Sequence, residues 1–189
     1  PPDTPSEPSE ADGRESMEPL TFDGTGDDVI ILDEDLTDLL VVEFHCSDCS
    51  SNTVLQSDSP ERLLVNTIGS YSGKHWINMR NGNPTTMFEI TATASWSLTI
   101  GEVSDLATYG EQGSASGTGD DVVVLLGDYQ AFSVTNDGES NFAIHGYSID
   151  GGGGGLLINH IGAYSGTVAL AGPALLQVTS DGDWTIEPR

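Results

Sequence analysis

Short runs of apolar residues alternate with polar ones along most of this chain, and turn residues break them at close spacing. In the C-terminal half the runs are DVVVLL (121–126), QAFSVTN (130–136), NFAIHGYSI (141–149), LLINHIG (156–162), TVALAG (167–172), ALLQVTS (174–180) and WTIE (184–187). Each is rich in Val, Ile, Phe or Thr. They are separated by NDGES, DGGGGG, AYSG and SDGD, as strands are by tight turns. Alternation is clearest in NFAIHGYSI, where a period of two marks a strand with one buried face. No segment has a sustained helical period with caps, although SDLATYGEQ (104–112) has the makings of one helical turn. Seven short strands at this spacing predict an all-β sandwich of jelly-roll type.

The N-terminal half spells the same pattern. GTGDDV at 24–29 returns at 117–122, and LLVNTIGSYSG (63–73) returns as LLINHIGAYSG (156–166), both at an offset of 93 residues. FEITATASWSL (88–98) meets LQVTSDGDWTI (176–186) at an offset of 88, so that Trp96 and Trp184 correspond. SSNTVL (50–55) resembles ESNFAI (139–144). Matches in one order, separated by small length changes, predict two tandem copies of one small sandwich. The unit is too long for a solenoid repeat. The expected layout is a tether over 1–20, a first copy over 21–103, a linker over 104–116 and a second copy over 117–189. The first copy carries two extra pieces, around HCSDCS (45–50) and KHWINMRNGNPTTM (74–87), whereas the second is longer at GGGGG (151–155).

The order GxGDDVV, SNF, LLxNxIGxYSG and a closing W-T-I resembles a repeat of secreted or lipid-anchored actinobacterial proteins. It is more distantly similar to bacterial pre-peptidase C-terminal β-sandwich domains. The resemblance spans roughly residues 20–100 and 115–189. It implies a fold, a place outside the cytoplasm and, from the more distant family, binding of a substrate or surface. It implies no particular activity.

Charge narrows the partners. The chain has 30 Asp and Glu against five Lys and Arg, a formal net charge of −25. No basic segment offers a footprint for a phosphate backbone, so nucleic acid is not an expected partner. An anionic membrane surface would repel the chain. No run of 18 apolar residues spans a bilayer. Residues 1–20, rich in Pro, Ser and Glu, cannot bury a core and read as a disordered acidic tether. The lack of an initial Met reads as a mature or trimmed chain, and tethers of this kind often follow an anchor. The expected setting is extracellular or the cell envelope.

Four constellations carry candidate chemistry. Asp27, Asp28, Asp120 and Asp121 are hard oxygen ligands, and calcium wants six to eight oxygens. Adjacent Asp on a strand point to opposite faces, so a site would need backbone carbonyls and another loop such as Asp181–Asp183. Otherwise GTGDD is a glycine turn opening a strand. Cys46 and Cys49 form a lone CxxC. The readings are a local disulfide in an oxidising compartment, a metal site short of ligands, or free thiols. Trp76 is the third. Laying KHWIN (74–78) over TVALA (167–171) turns His75 and Ile77 toward the core and Lys74, Trp76 and Asn78 outward. With Arg80 and Asn81 nearby, an outward Trp stacks on a sugar or anchors a protein contact. In the other reading it packs on the second copy or covers its own loop. His145 and His160 lie on strands and read as structural. No GxSxG elbow or carboxylate pair marks an enzyme. The sequence therefore predicts a non-catalytic binding module for a carbohydrate or surface-protein ligand, with no required cofactor. The alternative is a calcium-stabilised, adhesin-like spacer.

Overall fold

The computed structural model describes residues 16–110, 112–151 and 153–189; the first 15 residues of the expected tether lie outside these. Seventeen strands carry the fold. The first eight are β1 (Leu20–Thr25), β2 (Asp28–Leu36), β3 (Leu40–Cys46), β4 (Asn52–Ser57), β5 (Leu63–Ile68), β6 (Tyr71–Ile77), β7 (Thr85–Thr91) and β8 (Ser95–Glu102). A single helical turn, α1 (Val103–Leu106), and the short strand β9 (Thr108–Gly110) follow. Then come β10 (Ala115–Thr118), β11 (Asp121–Leu125), β12 (Ala131–Asn136), β13 (Asn141–Ser148), β14 (Gly154–Ile161), β15 (Tyr164–Ala169), β16 (Ala174–Thr179) and β17 (Asp183–Pro188).

These strands make four sheets. In the first unit the orders are β1-β8-β3-β6 and β2-β7-β4-β5. In the second they are β10-β17-β12-β15 and β14-β13-β16-β11-β9. Raising every label of the first unit by nine reproduces the second, apart from the added β9. All pairings are antiparallel except β9, which lies parallel to β11 with Tyr109 opposite Val124. The helical turn thus falls at Val103–Leu106, ahead of the centre of the expected stretch, and Thr108–Gly110 is extended because it completes a sheet. Strands also begin earlier than the sequence pattern suggests, at Leu20 and at Ala115.

Alternation gives each sheet one apolar face, and each pair of sheets closes on its own core. Phe44, Leu55, Ile77, Phe88, Trp96, Leu98 and Ile100 centre the first. Phe132, Phe142, Ile144, Leu176, Val178, Trp184 and Ile186 centre the second. Burying one such side chain contributes about 1.5–3 kcal/mol. A third, smaller apolar cluster joins the units: Val41 and Trp76 of the first meet Val122, Val124 and Leu175 of the second. Cys46 and Cys49 are joined in a disulfide inside the first core.

Candidate functional site

The repeated GTGDD motif is the place to start. Its first glycine lies under a tryptophan: a Cβ on Gly24 would sit 2.2 Å from the Trp96 ring, and one on Gly117 2.4 Å from the Trp184 ring. The next glycine turns the chain with φ of +78° at Gly26 and +76° at Gly119, which costs glycine nothing. That turn aims its carbonyl at the indole, so Trp96 Nε1 donates to Gly26 O and Trp184 Nε1 to Gly119 O, both at 2.9 Å. The first Asp then accepts from a neighbouring strand end: Ala92 N reaches Asp27 Oδ1 at 3.1 Å, and Ser180 N reaches Asp120 Oδ1 at 2.9 Å. The second Asp accepts from the amide that follows it, Val29 N to Asp28 and Val122 N to Asp121, both at 2.8 Å.

This geometry does not support the calcium expectation. Asp27, Asp28, Asp120 and Asp121 spend oxygens on N–H and O–H donors, and Asp181 accepts from Ser140 N. Among the described residues no group of three or more His, Cys, Asp or Glu converges on a point that could hold an ion. Thermal melts in millimolar Ca²⁺ and in chelator, at constant ionic strength, should therefore coincide within about 1 °C, because only a ligand bound to the native state shifts the midpoint. A rise of several degrees in Ca²⁺ would restore the metal site.

In the second unit the motif does more. Asp120 Oδ2 accepts from Tyr71 Oη at 2.8 Å and lies 3.3 Å from His75 Nε2, while Tyr71 Oη and His75 Nε2 are 2.8 Å apart. Tyr71 and His75 stand on one face of β6, in the first unit, so this network ties the two units together. Burial pushes the Asp120 carboxyl up, but hydrogen bonds from His75, Ser180 and Tyr71 outweigh it and hold its pKa below the ordinary value. Burial, and then the Asp120 charge, push the Tyr71 phenol far above its usual range. Three mutually bonded side chains drawn from both units are suited to holding the junction.

Next to it, one side-chain amide takes the place of a strand. Gln177 Nε2 donates to Lys74 O at 2.9 Å, and Gln177 Oε1 accepts from Trp76 N at 2.9 Å. Lys74 N donates to Asp120 O at 3.0 Å. The open edge of β6 is thereby satisfied by the second unit.

This junction corrects the expectation of an exposed Trp76. The alternation along β6 is as expected, with Ile77 in the core. The outward face, however, meets β11 and β16, and Trp76 is only 7% exposed. Lys74 is half-buried and pairs with Asp121, Nζ to Oδ1 3.5 Å. Asn78 is structural too: its φ is +59°, and its side chain donates to Leu36 O and Asp38 O and accepts from Thr85 Oγ1. Asn81 is exposed and lies apart from the clefts at the junction. Of the five expected contact residues, Arg80 and the buried Trp76 line the cleft between the units.

That cleft has a volume of about 300 Å³. Trp76, Met79, Arg80, Arg62 and Leu64 wall it from the first unit, and His145, Tyr147 and Gln177 from the second. The Tyr147 ring lies 6.0 Å from that of Trp76, tilted by 49°. Burial, then the nearby Arg80 charge, lower the pKa of His145. A second groove, of about 790 Å³, runs on past His75 between β5 and the Gly119–Asp120 turn.

No protein-family model matches this chain, and no curated protein does. Among solved structures it is similar to the regulatory subunit of a cAMP-independent protein kinase A from Trypanosoma cruzi bound to guanosine. Identity there is 8% over 90% of this chain and 72% of that one, with a TM-score of 0.24. The corresponding subunit from Trypanosoma brucei gives 9%, 90%, 73% and 0.24. The regulatory domain of Toxoplasma gondii PKA with cAMP gives 9%, 86%, 78% and 0.22. TM-scores this low carry no argument about the ligand of this chain. No helix among the described residues is long and apolar enough to cross a membrane.

Proposed function

We propose that this chain is a non-catalytic binding module that works outside the cytoplasm and holds a carbohydrate in the cleft between its two units. The observation that carries the reading is the cleft itself. Two sheets meet there through an apolar cluster and a hydrogen-bonded junction, and leave a concave space walled by aromatic, cationic and amide side chains. Ligand sites favour such places between domains, with an apolar wall and a few convergent polar groups. Tyr147 is the exposed aromatic face, at 36%, and can take the stacking role first expected of Trp76. The disulfide suits an oxidising compartment, and the strong negative charge suits solubility outside the cell. The motif resemblance to secreted or lipid-anchored repeats points the same way.

A glycan array probed with the whole chain tests this. Retention of a defined glycan class is expected, and Tyr147→Ala should weaken it at least tenfold while the melting temperature stays within a few degrees. An array without retained glycans, or a Tyr147→Ala protein that binds as well as the parent, would overturn the assignment; a surface protein would then be the ligand to seek.

A further inference from the structure

The cleft holds an unusual charge arrangement. The chain has 30 acidic residues and only five Lys and Arg, yet two of the five, Arg62 and Arg80, border this one space. Arg62 is exposed, and its guanidinium makes no ion pair with any described residue. Arg80 is 70% exposed, and its one ion-pair contact among the described residues is Nε to Glu61 Oε1 at 3.6 Å.

Glu61, the one carboxylate in the lining, offsets one of these two charges and leaves the other unbalanced. Its side chain is 7% exposed, and its two oxygens accept from Asn78 N at 3.0 Å and Arg80 N at 3.1 Å. It fixes the backbone that presents Arg80 and leaves the outer guanidinium nitrogens to solvent. The loop is pinned elsewhere as well. Asn78 is held by its side-chain bonds, and a Cβ on Gly82 would lie 2.3 Å from the Pro60 ring, so the 58–62 and 78–84 loops pack tightly together. The opposite wall brings His145 and Tyr147 on β13. An arginine and an aromatic ring lining one cleft of this size fit a single ring bearing one carboxylate.

We propose that the cleft is a subsite for a terminal sugar acid: one carboxylate, held by Arg80 with Arg62 beside it, on a pyranose ring that lies against Tyr147. The ligand carries one charge and not many, because the field of a chain at −25 repels polyanions while a single local cationic pocket can still select one carboxylate. This rests on the reading of the cleft as a carbohydrate site.

The test compares methyl β-D-glucuronide with methyl β-D-glucoside, and glucuronate-terminated with glucose-terminated tetrasaccharides, by titration against the whole chain. The glucuronides should bind at least tenfold more tightly, and the preference should shrink as salt is raised. Arg80→Gln should remove the preference, and Arg62→Gln should reduce it; both side chains are exposed, so melting temperatures should change by less than about 2 °C. Equal affinity for the matched pair, an unchanged preference in Arg80→Gln, or displacement by inorganic phosphate or an acidic peptide at lower concentration than by glucuronide would overturn the proposal. Glucoside binding that depends on Tyr147 without any preference for the acid would leave the carbohydrate reading standing and this inference refuted. Absence of all sugar binding would refute both.

Discussion

Trp184→Ala should destabilise the second unit by about 3–5 kcal/mol, among the largest effects of any single substitution in this chain. Trp184 is 1% exposed and sits in the centre of its core. Truncation leaves a cavity over Gly117, whose lack of a Cβ is what lets the ring approach. It also removes the indole donor from Gly119 O, so the turn that positions Asp120 loses its anchor. Trp184→Phe keeps most of the packing and loses the hydrogen bond alone, so it should cost less, about 1–2 kcal/mol. Gly117→Ala should destabilise from the other side, by overpacking against the ring. Urea unfolding at neutral pH reads all three. A Trp184→Ala protein within 1 kcal/mol of the parent would mean that the GTGDD motif is held by something other than the tryptophan.

Asp120→Ala is the second. It leaves Tyr71 Oη, His75 Nε2 and Ser180 N without their shared acceptor at a largely buried junction, at a cost on the order of 2–4 kcal/mol. The pH profile should show the loss as well. A carboxyl whose pKa is lowered by folding contributes stability that is fully present above its unfolded pKa and vanishes as pH falls through its folded pKa. Asp120 is such a group, so the gap between parent and variant should narrow as pH falls below about 4. The carboxyls of Asp58 and Asp181 are also lowered, but they are present in both proteins and cancel in the difference. The variant should also unfold in two steps where the parent unfolds in one, since the removed contacts join the units. Calorimetry across this pH range checks both. A gap that does not narrow as the carboxyl protonates would place the lost stability elsewhere.

The tryptophans and the alternating strands were readable because each reports on its own neighbourhood. Trp96 and Trp184 pack where a repeated residue should, and the apolar runs fall within strands. Strand β10 was not readable: Ala-Ser-Gly-Thr has no apolar pattern, and it is extended because β17 pairs with it and Trp184 lies on Gly117. The junction was hidden for a similar reason. Tyr71, His75 and Asp120 are separated by up to 49 residues, and no local pattern links them. One signal was present. Laying KHWIN over TVALA sets Val168 against His75, and a polar ring on a core-facing position where the matching strand has an apolar residue marks contact with something polar. Trp76 was placed on the correct face, but alternation along a strand says nothing about what that face meets. Arg62 showed no pattern of its own, since its position at the cleft depends on how the 58–62 loop packs against the 78–84 loop.

Gln177 has a consequence for anyone who would divide this chain. Its amide caps the strand edge of β6 as a neighbouring strand would. Cut after α1, the first sandwich would keep its core yet expose a row of unpaired backbone groups beside Trp76 and Val41. A bare edge with an apolar flank is a template for polymerisation. The C-terminal sandwich thus shields its partner's edge, and the fragment expected to stay monomeric in concentrated solution is the pair.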